Sequence, residues 1–230
     1  MKTEIFQKKY PLLSTLVDPN GNDQEYDSNL VDQISTQYSS FINSKKKLIP
    51  NLPIYFDSRL HDSWVNKITY SNTEVAINLN EFSTHCFADA LSNKYCIKIP
   101  HRKRIFPVCF NFSGVKEFTI SWINRNGKIL PLKKDKCIPR LSELLYEEAT
   151  QIESDRISVG FIFWTKFKGN KSYLLMQLTS DNMEIVEQQP NAFKTLYGKD
   201  QMKLFDSFWA EKQKGKYFDY STAMEFINKN

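Results

Sequence analysis

Residues 58–80 read SRLHDSWVNKITYSNTEVAINLN, a polar turn that launches two alternating apolar runs. Val65 and Ile68, then Val75, Ile77 and Leu79, supply an inward face, and the second run keeps strict period two. Asn72 and Thr73 sit where the chain should reverse, so the stretch predicts a β-hairpin. The turn ahead of it holds Arg59, His61 and Asp62, three ionisable side chains within four residues and the densest candidate chemistry in the sequence. A two-stranded hairpin is at best marginal in water, so the flanking chain must complete a sheet and a core.

Upstream, an apolar patch at Tyr10–Val17 precedes DPNGND, whose Pro, Asn, Gly and Asp make a turn or loop. From Ser28 the spacing becomes helical, with Leu30, Val31, Ile34, Tyr38, Phe41 and Ile42 on one stripe. Lys45, Lys46 and Lys47 suit the negative end of that helix, and Pro50 and Pro53 stop it.

Downstream, residues 81–100 read as an insertion in which CFADALSN makes a helical turn or two before Tyr95, Ile97 and Ile99 alternate. Phe106–Phe112 and Phe118–Trp122 alternate as strands, with reversals expected at Ser113–Lys116 and at Asn124–Lys128. Residues 140–153 satisfy helix and strand spacing about equally, and the reading leans to a strand after a turn. Ile157, Val159, Phe161 and Phe163 mark a further strand, turned by GNK at 169–171 into Tyr173–Thr179, with a short one at Met183–Glu187. Trp164 and Ile162 have the opposite parity, and a C-terminal helix is expected over them. After Pro190, helices are predicted at 191–197, from Met202 to near Gly215, and at 221–227.

The sum is an α+β chain with a largely antiparallel meander of about eight strands, helical at both ends. The expected organisation is one domain over 1–230, with a helical lead-in at 1–53, sheet at 54–188 and helices at 189–230. A chain of 230 residues can bury a core without metals or disulfides. Only seven glycines are present, and no GxGxxG or GxxxxGK[ST] pattern occurs, which argues against phosphate-cradling loops. Met1–Lys9 is polar, no apolar run is long enough for a membrane helix, and the four cysteines share no CxxC spacing. These features predict a cytoplasmic protein with reduced thiols and no membrane partner.

Several residues invite a chemical reading. The adjacent pair His61-Asp62 would suit a metal-dependent hydrolase or nuclease, with Arg59 holding an anion, yet further ligands at helical spacing are missing. The alternative is structural: an Asp accepting N–H bonds at a strand entrance, with His bracing the turn. His85, Cys86, Cys96 and His101 offer four donors at no common zinc spacing, so no metal or cofactor is predicted. The basic run His101, Arg102, Lys103, Arg104, with Phe106 and Phe110 nearby, would suit a phosphate backbone, but no nucleic-acid motif accompanies it. The net charge of +5 permits such partners without requiring them. Glu143, Glu147, Glu148 and Glu153 read as an acidic strip which, with the basic run, suits recognition of another protein.

The Leu60-His61-Asp62-Ser63 turn before a strand pair, with Leu144-Leu145-Tyr146-Glu147-Glu148 before a later hairpin, resembles uncharacterised bacterial β-rich proteins. Some of their relatives with an L-H-D-[SA] turn are immunity proteins of polymorphic toxin systems. The resemblance spans Pro53–Val186 and brings no catalytic residues. The missing catalytic constellation, together with a charged, aromatic-rich sheet surface, predicts a non-catalytic protein that occludes a protein partner, such as a toxin, with Arg59, His61, Asp62 and His101–Arg104 as candidate binding residues.

Overall fold

The computed structural model describes residues 9–16, 28–56, 60, 62–97, 107–123, 129–132, 143–167, 170–187 and 198–230. The predicted hairpin is present as β1 (Ser63–Tyr70) and β2 (Glu74–Asn80), in register from Trp64 opposite Asn80 to Tyr70 opposite Val75. Ser71 Oγ accepts the N–H groups of Thr73 and Glu74 at 3.3 and 3.0 Å, which sets the turn. A register shift between Val65 and Lys67 adds one residue to β1, so that Val65 and Ile68 share the inner face despite their odd spacing.

The remaining strands are β3 (Pro107–Ser113), β4 (Glu117–Ile123), β5 (Ile129–Pro131), β6 (Glu143–Glu153), β7 (Arg156–Phe167), β8 (Asn170–Ser180) and β9 (Asn182–Glu187). They form one nine-stranded sheet in the order β5-β4-β8-β7-β6-β1-β2-β3-β9, with every neighbouring pair antiparallel. The segment 140–153 supplies β6 in its described part, with register shifts after Leu144 and after Ala149. Each shift reverses the parity of the strand, which is why no single period fits its sequence.

The order is not a simple meander. Ser113–Lys116 does not reverse the chain: β3 and β4 are unpaired with one another, β3 lying along β9 and β4 along β8. Gly114, at φ +63°, makes a corner in one strand while Asp181 makes it in the other; a Cβ on Gly114 would lie 2.3 Å from the Asp181 carboxylate. Asp181 N–H donates to the carbonyls of Ser113 and Gly114, both at 3.1 Å, and Lys116 Nζ lies 3.0 Å from Asp181 Oδ2. The bent ribbon therefore gives β4–β8 to one end of the sheet order and β3–β9 to the other, and the sheet must fold over on itself. Phe110 of β3 and Phe161 of β7 show that it does. They are four strand steps apart, roughly 19 Å in a flat sheet, yet their rings are 6.2 Å apart.

Val65, Ile77, Leu79, Phe110, Phe112, Phe161, Phe163 and Met176 fill the enclosed core. Two helices close it: α2 (Ser28–Ser44), through Ile42, and the short α3 (Leu52–Tyr55), whose Tyr55 and following Phe56 reach Phe110 edge-on. Tyr38 of α2 accepts the Ala149 N–H at 2.9 Å through its hydroxyl. Leu30, expected on the apolar stripe, is exposed.

The outer face of β7–β8 carries a smaller cluster of Ile162, Leu175 and Ile123. It is covered by the N-terminal helix α1 (Pro11–Leu16) with Tyr10, and not, as expected from parity, by a C-terminal helix. Gly160 makes this possible, since a Cβ there would lie 2.5 Å from the Tyr10 ring.

Residues 82–94, read as part of an insertion, form a complete helix, α4 (Phe82–Lys94), at the centre of another core. It packs with α5 (Lys199–Gln213) and α6 (Tyr220–Lys229): Phe87 stacks on Phe208 at 4.0 Å, and Phe208 meets Phe218 at 4.8 Å. Tyr95–Ile97 follow α4 as a turn instead of a strand, with Cys96 at φ +54°. The helix expected at 191–197 and the turn at 124–128 lie outside the described residues, although Ile123 pairs with Ile129; of the reversal expected at 169–171, Asn170 and Lys171 already belong to β8, with Phe167 opposite Asn170.

Candidate functional site

Of the residues singled out from sequence, Arg59, His61 and His101–Arg104 lie outside the described residues. Asp62 is described, and its backbone is left-handed at φ +65°. Its N–H donates to Leu144 O at 3.0 Å, while Ser63 N–H returns to Leu60 O at 3.0 Å. The turn thus ties the start of β1 to β6 where Ser63 faces Leu144 and Trp64 faces Glu143.

His85 lies one turn into α4, edge-on to Trp64 at 5.0 Å, with Nε2 3.4 Å from Asp89 Oδ2. Its neighbour Cys86 is buried, and that burial, with the carboxylates of Asp89 and Glu81 adding to it, pushes the thiol up to about 12. Such a thiol stays protonated and is a poor nucleophile at neutral pH. Cys109 is also raised, by burial first, and its Sγ contacts Asn111 Oδ1 at 3.0 Å. Among the described residues, no three of His, Cys, Asp and Glu are grouped so as to hold a metal ion. No described helix is long and apolar enough to cross a membrane.

The acidic strip expected from Glu143, Glu147, Glu148 and Glu153 is not a surface feature. Glu147 and Glu148 are both buried, on opposite faces: the first β6 bulge turns Glu147, opposite Phe161, into the enclosed core and leaves Glu148, opposite Gly160, on the outer face beneath α1. Glu148 Oε2 accepts Leu13 N–H at 2.8 Å and so caps the first turn of α1 from a distant strand. Burial pushes this carboxyl up to about 7, against the opposing pull of the Leu13 and Leu12 N–H groups.

A second buried acid, Glu81, caps α4 by accepting the Ser83 and Thr84 N–H groups at 3.1 and 3.0 Å. Lys212 of α5 lies 3.1 Å from Glu81 Oε2, also donates to Thr84 Oγ1, and sits over the Trp209 ring at 4.4 Å. Burial alone would raise the Glu81 carboxyl, but Lys212 and the Thr84 hydrogen bonds outweigh it and hold it below the usual carboxylate range. Beside them Glu187 accepts the Tyr55 hydroxyl and, at 2.9 Å, the Gln213 amide, which links β9, α3 and α5. With the ion pair buried in full, this is a clamp between sheet and helices, closed to any substrate.

Among the described residues, none is packed as a layer over the outer face of β1-β2-β3-β9 at its Thr69–Glu184 row. Thr69, Ala76, Asn111 and Glu184 form one row across the four strands, and Glu74, Ser113 and Asn182 form the next. With Tyr70 and Ser71 they line a groove of about 390 Å³. A second cleft of about 380 Å³ shares Asn182 and Glu184 and runs between β9 and Leu48–Asn51. Among the described residues lining the two, the charged side chains are Glu74 and Glu184. These side chains can offer hydrogen bonds and negative charge, and the described set contains no base positioned beside a nucleophile. Sequence reading passed over this surface because its members are ordinary polar residues scattered over four strands, brought together only by register. Compared with known proteins, the chain matches no protein-family model, no curated protein and no solved structure.

Proposed function

We propose that this chain is a non-catalytic, cytoplasmic protein-recognition protein that works by covering a partner, in the manner of an immunity protein. The observation that carries the reading is the uncovered polar face of β1-β2-β3-β9, which continues around β9 into a second cleft. The other outer sheet surface is packed under α1, and the buried charges are committed to holding elements together. A broad face with dispersed polar groups suits shape and hydrogen-bond complementarity over an extended contact. The three described cysteines are free, in keeping with a reducing compartment.

The test is gentle co-purification from the native cell with wild type and with Asn111→Arg, which puts a long cation in the middle of the face. A protein partner retained by wild type and lost by the variant, at unchanged circular dichroism, supports the reading. Recovery of no partner overturns it, as does metal-dependent phosphodiester turnover abolished by His61→Ala.

A further inference from the structure

We infer that the groove over Ala76 takes up an arginine side chain of the partner protein and holds its guanidinium between Glu74 and Glu184. The inference rests on the protein-recognition reading and narrows it to one groove and one chemistry. Ala76 is the smallest member of its row, between Thr69 on β1 and Asn111 on β3, so its methyl leaves a hollow that the longer side chains rim. Glu74 stands one row away on the same strand, and Glu184 stands in the Ala76 row on β9, two strands across. In a flat sheet their main chains are roughly 12 Å apart, a span over which two glutamate side chains can close on one cation above Asn111 and Ser113.

The charge of the groove selects its occupant. Both glutamates are exposed, neither is in an ion pair with a described residue, and no described cation lines the groove. Of the cations nearby, Lys116 is engaged by Asp181 at 3.0 Å, and Lys67 stands one row beyond Thr69, opposite Asn78. A phosphate-bearing partner would therefore be repelled, whereas a cationic side chain gains two ion pairs. Guanidinium fits better than ammonium. Beside the carboxylates, Thr69, Asn111, Ser113 and Asn182 offer side-chain oxygens spread over three strands, which a planar fork of five donors can satisfy together and a point charge cannot. The methylene stem of the arginine then lies over the Ala76 methyl.

The experiment is a ¹⁵N–¹H titration of the whole chain with N-acetyl-arginine amide, read at the Asn111 and Asn182 side-chain amides and at the Ala76 and Glu184 main-chain N–H groups. The matching lysine and citrulline derivatives, at the same ionic strength, serve as comparisons. The expected result is saturable shifts at these four positions with arginine, weaker binding of the lysine derivative, and no saturation with citrulline, which keeps the shape and lacks the charge. Glu74→Gln and Glu184→Gln should each weaken arginine binding about two- to fivefold, the range for an exposed ion pair, and raising the salt concentration should weaken it too. Ala76→Leu, which fills the groove, should abolish it at unchanged circular dichroism. Absence of shifts, an equal response to arginine and citrulline, tighter binding of the lysine derivative, or indifference to both glutamine variants overturns the inference. Each of those results leaves protein recognition standing, since that reading is decided separately by co-purification.

Discussion

Replacing Glu148 with glutamine isolates the consequence of one buried charge. In the unfolded chain this carboxyl titrates near its ordinary 4.5, and in the fold burial moves it to about 7. The folded state therefore holds the proton more tightly. Stability from this group is complete below the unfolded value and is lost as pH rises through about 7, where the ionised form must stay desolvated beneath α1. Integrated between about pH 5 and pH 8, the displacement amounts to about 2.5 kcal/mol. Glutamine keeps an oxygen for the Leu13 N–H and cannot ionise. Urea denaturation followed by tryptophan fluorescence, at both pH values, should show the variant gaining about that much on wild type as pH rises. Other titrating groups are common to both proteins and cancel in the comparison. Parallel pH profiles for wild type and Glu148→Gln would refute the reasoning and mean that water reaches the carboxylate.

Three more perturbations probe the joints of the fold. Lys212→Met strands the Glu81 carboxylate between α4 and α5 and should cost about 3–5 kcal/mol by denaturation; adding Glu81→Gln should recover much of it. Gly160→Ala puts a methyl within 2.5 Å of the Tyr10 ring and should cost about 1–3 kcal/mol; in a Tyr10→Ala background the same change should cost far less, a coupling that a double-mutant cycle reads directly. Phe208→Ala removes the ring stacked on Phe87 and should cost about 3–5 kcal/mol in equilibrium unfolding.

Most strands were legible because they alternate, β6 being blurred by its two register shifts and the three-residue β5 too short to show a period, and the helices at 28–44 and 199–213 were legible because each carries a stripe. What sequence reading lost was whatever tertiary contact decides. α4 is buried on nearly every side, with Ser83, Thr84, Cys86 and Ser92 as well as Phe87 and Leu91 out of water, so no amphipathic period marks it. Gly114 signals a turn in sequence, and only its pairing with the bend at Asp181 makes that turn a corner shared by two strands. Of the candidate site, Asp62 was visible as a strand-entrance residue. The groove was not, because Thr69, Ala76, Asn111 and Glu184 are drawn from four strands and have no spacing in common.

The acids went astray for a related reason. A run such as Glu147-Glu148 reads as surface because an isolated carboxylate is costly to bury, and that rule fails where a helix end arrives from elsewhere with N–H groups to satisfy. Glu81 and Glu148 are both of this kind, each at the N-terminus of a helix, one given a cation and the other none. The difference sets their behaviour: Lys212 holds Glu81 ionised, so the α4–α5 joint is insensitive to pH near neutrality, whereas the α1 joint weakens as Glu148 loses its proton. Since α1 covers the outer face of β7–β8, raising pH should loosen that cover and leave the polar face of β1-β2-β3-β9 untouched. Partner binding through that polar face should then be indifferent to the titration of Glu148, and a joint dependence of the two would place the partner on the α1 side of the sheet.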